Sequence, residues 1–240
     1  MRGASWALDY FENCITCKWR NEKFFCNLDA KSLKDLDQLT FTNVYPPGAV
    51  LFAEGQQPRG MYLVCRGSVK LSISAGDGKT LIVHIAQQGD VLGLSSVITG
   101  NVHKTTGETL EPSQINFIRR EDFLRFLNTH HEACANATRQ LSRECEADND
   151  HIRAIGLSHS AAEKLAHLLL TWCGESGKET EGGTRVQVLM THEDISQLIG
   201  TSRETVTRLL KEFREKKIIS VRGSTLCVHN KAALEALVML

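Results

Sequence analysis

Three cysteines near the start of the chain, Cys14, Cys17 and Cys26, have the residue type and spacing of metal ligands. Two residues separate the first pair, so both sulfurs can reach one metal, and thiolates are the soft donors that iron–sulfur clusters and zinc require. Thiol redox sensing, or packing as small buried hydrophobes, would explain the same residues. We predict a metal or cofactor site at these three cysteines, with an iron–sulfur cluster as the cofactor and zinc as the structural alternative. Cys65 and Asp29 are candidates for a fourth ligand, although their spacing favours neither.

A second group of residues, Arg203, Glu204 and Arg208, has the hydrogen-bonding groups needed to read DNA bases. Arginine can donate two parallel bonds to O6 and N7 of guanine, and a carboxylate can accept a bond from N4 of cytosine. Charged residues on an exposed helix are often merely solvated. The local structure around these three residues therefore decides between the two explanations.

The sequence around these charges predicts two short helices joined by a tight turn. Thr191 is a helix N-cap with Asp194 three residues later, Gly200 can end that helix, and Ser202 can cap the next one. Two short strands within residues 218–228 follow as a wing. This pattern is a winged helix-turn-helix. Its predicted DNA contacts are Ser202, Arg203, Glu204, Thr207, Arg208, Lys211 and Arg222.

The chain has 240 residues, a length that suits two domains, and its formal net charge is zero. Its positive charge is nevertheless concentrated in one segment. Between residues 185 and 231 the chain has nine Lys and Arg against five Asp and Glu, which favours one-sided DNA binding. Long apolar runs and a signal-peptide pattern are missing, so we expect a cytoplasmic protein without a membrane partner and with reduced cysteines. Four further cysteines fall at core spacing and are predicted to be structural: Cys134, Cys145, Cys173 and Cys227.

The remaining segments predict a β-rich module and a long helix, and hence an α+β fold. Short apolar runs separated by glycines indicate strands at sandwich-like spacing, with a hairpin turn at Asp77 and Gly78. Apolar residues then alternate at spacings of three and four, as in a helical dimer seam. We predict an N-terminal cysteine segment (1–28), a β-roll (29–122), a dimerisation helix with hinge (123–158) and the winged helix-turn-helix (159–240). The seam residues are Leu141, Cys145, Asp148, Ile152 and Ile155.

Together these segments resemble the CRP/FNR family of bacterial transcription regulators over nearly the whole chain. The matching motifs lie within residues 47–55, 60–70, 89–93 and 202–208. The resemblance implies a cyclic-nucleotide-binding-like β-roll, a parallel homodimer, a palindromic double-stranded DNA site and RNA polymerase as a partner. It suggests half-sites like TGTGA, read by the Arg-Glu…Arg pattern, whereas FNR proper reads TTGAT. No set of nucleophile, base and orienting group indicates an enzyme.

The resemblance leaves the sensed signal open. In the family's cyclic-nucleotide pocket, a glutamate accepts from the ribose and an arginine neutralises the phosphate. In this chain Leu94 occupies the glutamate position and Lys104 the arginine position, and with Gly93 and Thr105 they form a degenerate pocket. FNR-type sensors hold a cluster with four cysteines, and the fourth position matches Asn116. An unidentified small ligand is the third alternative. Outside the regulator class, a cyclic-nucleotide-type regulatory subunit and an architectural DNA-binding protein remain as hypotheses.

Overall fold

A computed structural model describes residues 13–17 and 24–238 of the chain. These residues form two compact units. The first contains the described residues up to Ile73 together with Val83–Ala147, and the second contains Ser74–Ile82 and the described residues from Asp148 onward. Among the described residues, no helix has the length and apolar character needed to cross a membrane.

The first unit begins with a 3-10 turn and a short helix. The turn covers Phe24–Asn27 and leads into α1 (Ala30–Gln38). Asp29 caps this helix because its carboxylate accepts hydrogen bonds from the backbone N–H groups of Lys31 and Ser32. The buried face of α1, which includes Leu33 and Leu36, anchors it on the core of the unit.

Two four-stranded antiparallel sheets form the β-roll. In the order β1-β8-β3-β6, one sheet contains β1 (Thr40–Tyr45), β8 (Ser113–Arg119), β3 (Gly60–Arg66) and β6 (Val91–Leu92). In the order β2-β7-β4-β5, the other contains β2 (Val50–Phe52), β7 (Thr106–Thr109), β4 (Val69–Ser74) and β5 (Thr80–Ala86). The strands expected from the apolar runs are confirmed, and a turn at Asp77 and Gly78 joins β4 to β5.

Three helices accompany the roll. A short α2 (Leu94–Thr99) follows β6, α3 (Arg120–Thr129) follows β8, and the 26-residue α4 (His131–Gly156) comes next. Ala133 and Ala137 in the first half of α4 are buried in the same core as α1, α3 and β3. The long helix is therefore rooted in the core of the β-roll.

The second unit is a winged helix-turn-helix. It contains α5 (Ala161–Ser176), β9 (Lys178–Thr180), β10 (Gly183–Gln187), α6 (His192–Ile199), α7 (Arg203–Glu215), β11 (Ile219–Arg222), β12 (Thr225–Val228) and α8 (Lys231–Val238). Its sheet has the order β11-β12-β10-β9, and the β11–β12 hairpin is the predicted wing. The predicted fold class, with a β-roll, a long helix and this domain, is confirmed. The predicted domain boundaries stay predictions.

Candidate DNA interface and cysteine site

Capping interactions set the geometry of the helix pair α6 and α7. The Thr191 hydroxyl accepts from the backbone N–H of Asp194, whose carboxylate accepts from the Thr191 N–H, which completes the predicted capping box. Gly200 ends α6 in the left-handed conformation with φ of 64°. Ser202 then caps α7 by accepting from the N–H of Thr205. The turn that was expected from the sequence is therefore present.

One face of α7 is buried and the other is exposed. The buried face packs on the core of the second unit through Val206, Leu209, Leu210 and Phe213. Arg203, Glu204 and Arg208 are exposed on the opposite side, within the first two turns. Hydrogen bonds from its own backbone N–H and from Ser202, with Arg203 nearby, lower the pKa of Glu204, so this side chain is a charged acceptor at neutral pH. The arrangement leaves two guanidiniums and a carboxylate available to base edges.

Thr207, like Ser202, has a hydroxyl that already has hydrogen-bond partners within the chain. It donates to the carbonyl of Arg203 at 2.9 Å, and it lies 2.9 Å from Nδ1 of His192, the first residue of α6. This contact fixes the start of α6 against the exposed face of α7. The sequence reasoning missed His192, since only the geometry of the turn brings residues 15 positions apart together.

The remaining predicted contacts are exposed on α7 and on the wing. Lys211 lies 3.8 Å from Glu215, and both side chains are well exposed, so this ion pair adds little stability and leaves the ammonium accessible. Arg222 is exposed at the end of β11, beside the wing turn at Gly223. Both cations are therefore placed where they can meet phosphate groups.

The three N-terminal cysteines line one small cavity of about 30 Å³ in the first unit. Cys65, on β3, lines the same cavity. The rest of the lining is apolar except for Gln88, with Phe25, Leu33, Leu63 and Val64. The structure therefore brings together four thiols, of which sequence spacing singled out three.

Hydrogen bonds and burial define the state of these thiols. The backbone N–H of Cys14 donates to Oδ1 of Asp37 at 2.6 Å, and Nδ2 of Asn116 donates to the Cys14 sulfur at 3.5 Å. Burial first, then Asp37 and the neighbouring cysteines, raise the pKa of Cys14 to about 12. Burial and the other three thiols also raise the pKa of Cys65 well above its ordinary value. Cys14 and Cys65 are therefore neutral thiols here.

The donor set suits a soft metal, but the thiols do not close around a single point. Within residues 13–17 and 24–238, no group of three or more His, Cys, Asp and Glu side chains is arranged as the ligands of one metal ion. The four cysteines instead share the lining of one small cavity. Asp29, the other candidate for a fourth ligand, is engaged at the N-terminus of α1.

The degenerate pocket residues fall at the start of α2 and in the loop before β7. Gly93 takes a left-handed conformation, and Leu94 points into the core with 1% of its surface exposed. Lys104 is exposed and Thr105 is partly buried. Between them, His103 is buried and stacks on Phe52 with ring centroids 4.3 Å apart.

His103 also explains why residue 93 is glycine. A Cβ at Gly93 would lie 2.9 Å from Cε1 of His103, and φ there is 76°. Burial lowers the pKa of His103, which keeps the ring neutral. The space beside Gly93 is thus filled by an uncharged imidazole of the chain itself.

The seam residues of α4 become more exposed from Leu141 to Ile152, whereas Ile155 after them is partly buried. Leu141 packs partly against the core of the first unit, whereas Cys145 and Asp148 are exposed and Ile152 has 65% of its surface exposed. An apolar residue as exposed as Ile152 on a long helix marks a face that one chain leaves uncovered.

The four remaining cysteines follow their prediction only in part. Cys173 and Cys227 are buried in the second unit, as expected from their spacing. The expectation was wrong for Cys134 and Cys145, which are exposed on α4 in the single chain. Their helical spacing reflects the outward face of α4 rather than its buried face.

Comparison with known proteins matches both halves of the chain. The family model for a cyclic nucleotide-binding domain matches residues 42–130, and the model for a Crp-like helix-turn-helix domain matches residues 163–237. The chain is similar to a global nitrogen regulator from Nostoc sp., with 25% identity over 85% of this chain and 95% of that protein. It is equally similar to the cAMP-activated global transcriptional regulator CRP of Pasteurella multocida, with 25% identity over 77% of this chain and 88% of that protein.

A solved structure gives the same result for the fold. FixK2 from Bradyrhizobium japonicum has a TM-score of 0.72 and 22% identity, covering 82% of this chain and 96% of that one. The matched models, the winged helix-turn-helix with its exposed Arg-Glu…Arg face and the β-roll all agree. The chain therefore belongs to the CRP/FNR family of DNA-binding transcription regulators.

Proposed function

We propose that two copies of the chain pair along α4 and place two α7 helices in successive major grooves of a palindromic DNA site. The exposed seam residues of α4, Ile152 above all, supply the apolar face that a second copy would cover. A parallel pair sets its recognition helices about one turn of DNA apart, which matches half-sites of opposite orientation. The protein acts by binding in the cytoplasm and not by catalysis.

The readout depends on three side chains of α7. Arg203 and Arg208 donate to guanines and Glu204 accepts from cytosine, in half-sites like TGTGA. The observation that carries this proposal is that all three are exposed on the first two turns of a helix whose opposite face is buried. Lys211 and Arg222 contact phosphates, and RNA polymerase is the further partner expected of the family.

A titration of DNA with purified protein tests this reading. Fluorescence anisotropy on a palindrome of TGTGA half-sites should show tight binding by a dimer, and a scrambled duplex of equal length should bind far more weakly. An architectural protein would bind both equally, and a regulatory subunit of an enzyme would bind neither. Sedimentation in the same buffer would show whether the binding species is the dimer.

In this proposal Cys14, Cys17 and Cys26 sense the signal, either through a metal centre or through redox chemistry of their thiols. Helix α1 supports a route from these residues to α4. At its C-terminal end Asp37 accepts from the backbone of Cys14, and near its start the Ser32 hydroxyl lies 2.9 Å from Nδ1 of His130.

His130 directly precedes α4, and the core that packs Cys14 and Cys65 also contains Ala133 and Ala137 of that helix. A change in the cysteine segment can therefore bias the position of α4 through one short, capped helix. Such coupling requires that the signal state interacts differently with two arrangements of α4.

In this proposal the charge of Asp148 opposes dimer formation, so that the dimer forms only when the signal favours it. In a parallel pair the two Asp148 carboxylates would face each other across the seam and repel. Replacing Asp148 by Ala should therefore give tighter dimers whose DNA binding no longer depends on the signal, measured by sedimentation and DNA titration. An unchanged or weaker dimer would show that Asp148 is a surface residue and that the control of dimer formation lies elsewhere.

A small ligand in the β-roll is the weaker alternative for the signal. Leu94, in place of the glutamate that would accept from the ribose, is buried in the core, and His103 fills the space beside Gly93. At the arginine position the exposed Lys104 keeps a positive charge but lacks the two-pronged geometry of a guanidinium. Calorimetric titration with cAMP should show no binding heat. Saturable binding of cAMP would move the sensory role from the cysteines to the roll.

A further inference from the structure

Cys65 adds a fourth thiol to the three N-terminal cysteines, and the spacing of those three does not predict it. It lies on β3, in the middle of a four-stranded sheet, and lines the same cavity as Cys14, Cys17 and Cys26. Its thiol donates a weak hydrogen bond to the carbonyl oxygen of Leu63 at 3.8 Å.

We propose that Cys65 is the fourth sulfur ligand of a soft metal centre that it shares with Cys14, Cys17 and Cys26. This inference rests on the sensory part of the proposed function and adds the ligand which that part lacks. The centre is either an iron–sulfur cluster, whose several iron atoms can bind four separated thiolates, or a zinc ion, around which the four sulfurs would first have to close.

The cavity lining selects soft metals. Its nine residues comprise four cysteines, four apolar residues and Gln88, with no carboxylate or imidazole among them. Hard cations such as Mg²⁺ and Ca²⁺ need oxygen ligands that this lining does not offer, whereas thiolates favour zinc and iron–sulfur centres. An apolar wall also limits the access of water to the bound centre.

The neighbours of the cavity supply the outer contacts that metal-bound sulfurs need. Asn116 is buried on β8, where it pairs with Leu63 of β3, and its amide donates to the sulfur of Cys14. Thr42 orients this amide by donating to its Oδ1 at 2.7 Å. Hydrogen bonds of this kind stabilise negative charge on sulfur and tune a metal centre. Asn116 therefore acts beside the site, while Cys65 provides the ligand.

A metal centre binds the four sulfurs as thiolates. Each sulfur that carries a proton loses it to solvent as its bond to the metal forms, and the zinc ion or the assembled iron–sulfide cluster comes from outside the chain. Three ligands then lie in the segment before α1 and one in the sheet. The bound centre thus fastens the cysteine segment to the β-roll.

The test is the metal content of protein purified without oxygen, compared with Cys65→Ser and with Cys173→Ser as a matched buried-cysteine control in the other unit. Iron with equimolar sulfide and visible absorption identifies a cluster, and stoichiometric zinc identifies the ion. We expect wild type and Cys173→Ser to hold the metal and Cys65→Ser to lose it. Retention of the metal by Cys65→Ser would overturn the inference alone, whereas metal-free wild type would also remove the metal-centre hypothesis from the proposed function.

A measurement on wild type covers the case in which Cys65→Ser fails to fold. Protein is treated with diamide before and after removal of its metal by a chelator, and its disulfides are mapped by mass spectrometry. We expect Cys65 to form a disulfide with one of the other three cysteines only in the metal-free protein. Equal modification of Cys65 in both samples would overturn its role as a ligand.

Discussion

The exposed face of α7 and the cysteine cavity differ in how they hold their polar groups. On α7, Arg203, Glu204 and Arg208 are charged and solvated, and helix caps a few residues away fix their backbone. In the cavity, Cys14 and Cys65 are neutral thiols that lie about fifty residues apart in sequence. The charged groups of α7 are exposed in the single chain, whereas the thiols of the cavity lie within a mostly apolar lining. We therefore expect DNA recognition in the second unit and signal dependence in the first.

The largest expected effect is complete loss of metal from the cysteine cavity without any change in the second unit. Cys17→Ser removes one proposed sulfur ligand from the cavity, so anaerobic protein should lose its bound metal and, if the centre is a cluster, its brown colour. The second unit contains none of these ligands, and its helical circular dichroism should stay at the wild-type level. Unchanged metal content in Cys17→Ser would break the assignment of this cysteine.

Removal of core volume beneath the exposed face of α7 should destabilise the second unit and leave the metal site of the first unit unchanged. Phe213 has 2% of its surface exposed in the core of the second unit, and Phe213→Ala should cost about 3–5 kcal/mol of that domain's stability. Urea unfolding followed by Trp172 fluorescence would measure it, since Trp172 packs against this core. The metal content of the first unit should not change. Loss of metal in this variant would contradict the separation.

Base recognition should show an effect of intermediate size. Arg208→Ala should cost about 1–3 kcal/mol at one base pair of each half-site and remove the preference at that position. Lys211→Ala is the matched control, because loss of a phosphate contact weakens binding to all sequences and lowers the salt slope by about one. Anisotropy titrations on single-base variants of the palindrome distinguish the two. Uniform weakening by Arg208→Ala would mean that Arg208 contacts only phosphate.

The smallest effect concerns the capping box of α6. Thr191→Ala removes the hydroxyl that accepts from the N–H of Asp194 and should cost about 0.5–2 kcal/mol of stability in the second unit. Thr191→Ser retains the hydroxyl and serves as the control. If urea unfolding gives the same stability for both variants, the cap has no energetic role.

The same contrast explains what the sequence could predict. The caps at Thr191 and Ser202, the turn at Gly200 and the two faces of α7 are local patterns, and the structure confirms each of them. The β-strands also follow their apolar runs. Periodicity located the buried Cys173 but assigned the exposed Cys134 to a core, because helical spacing identifies a face without saying which side is covered.

Contacts between distant segments could not be predicted in this way. Sequence spacing offers no reason to join Cys65 to Cys14, since the pairing of β3 with β8 and the position of α1 bring them together. The contact between His192 and Thr207 depends likewise on the angle between two helices. Burial of Leu94 and stacking of His103 on Phe52 are further results of tertiary packing that a motif comparison does not contain.

The most direct test of the account is a DNA titration with the cysteine site filled and emptied. Anaerobic protein in its metal-bound form and the same protein after treatment with a chelator are titrated against the TGTGA palindrome and a scrambled duplex. We expect the two forms to differ in affinity for the palindrome by about 5–150-fold, the usual range of coupling between distant sites, with little difference on the scrambled duplex. Equal affinity of the two forms for the palindrome would contradict it.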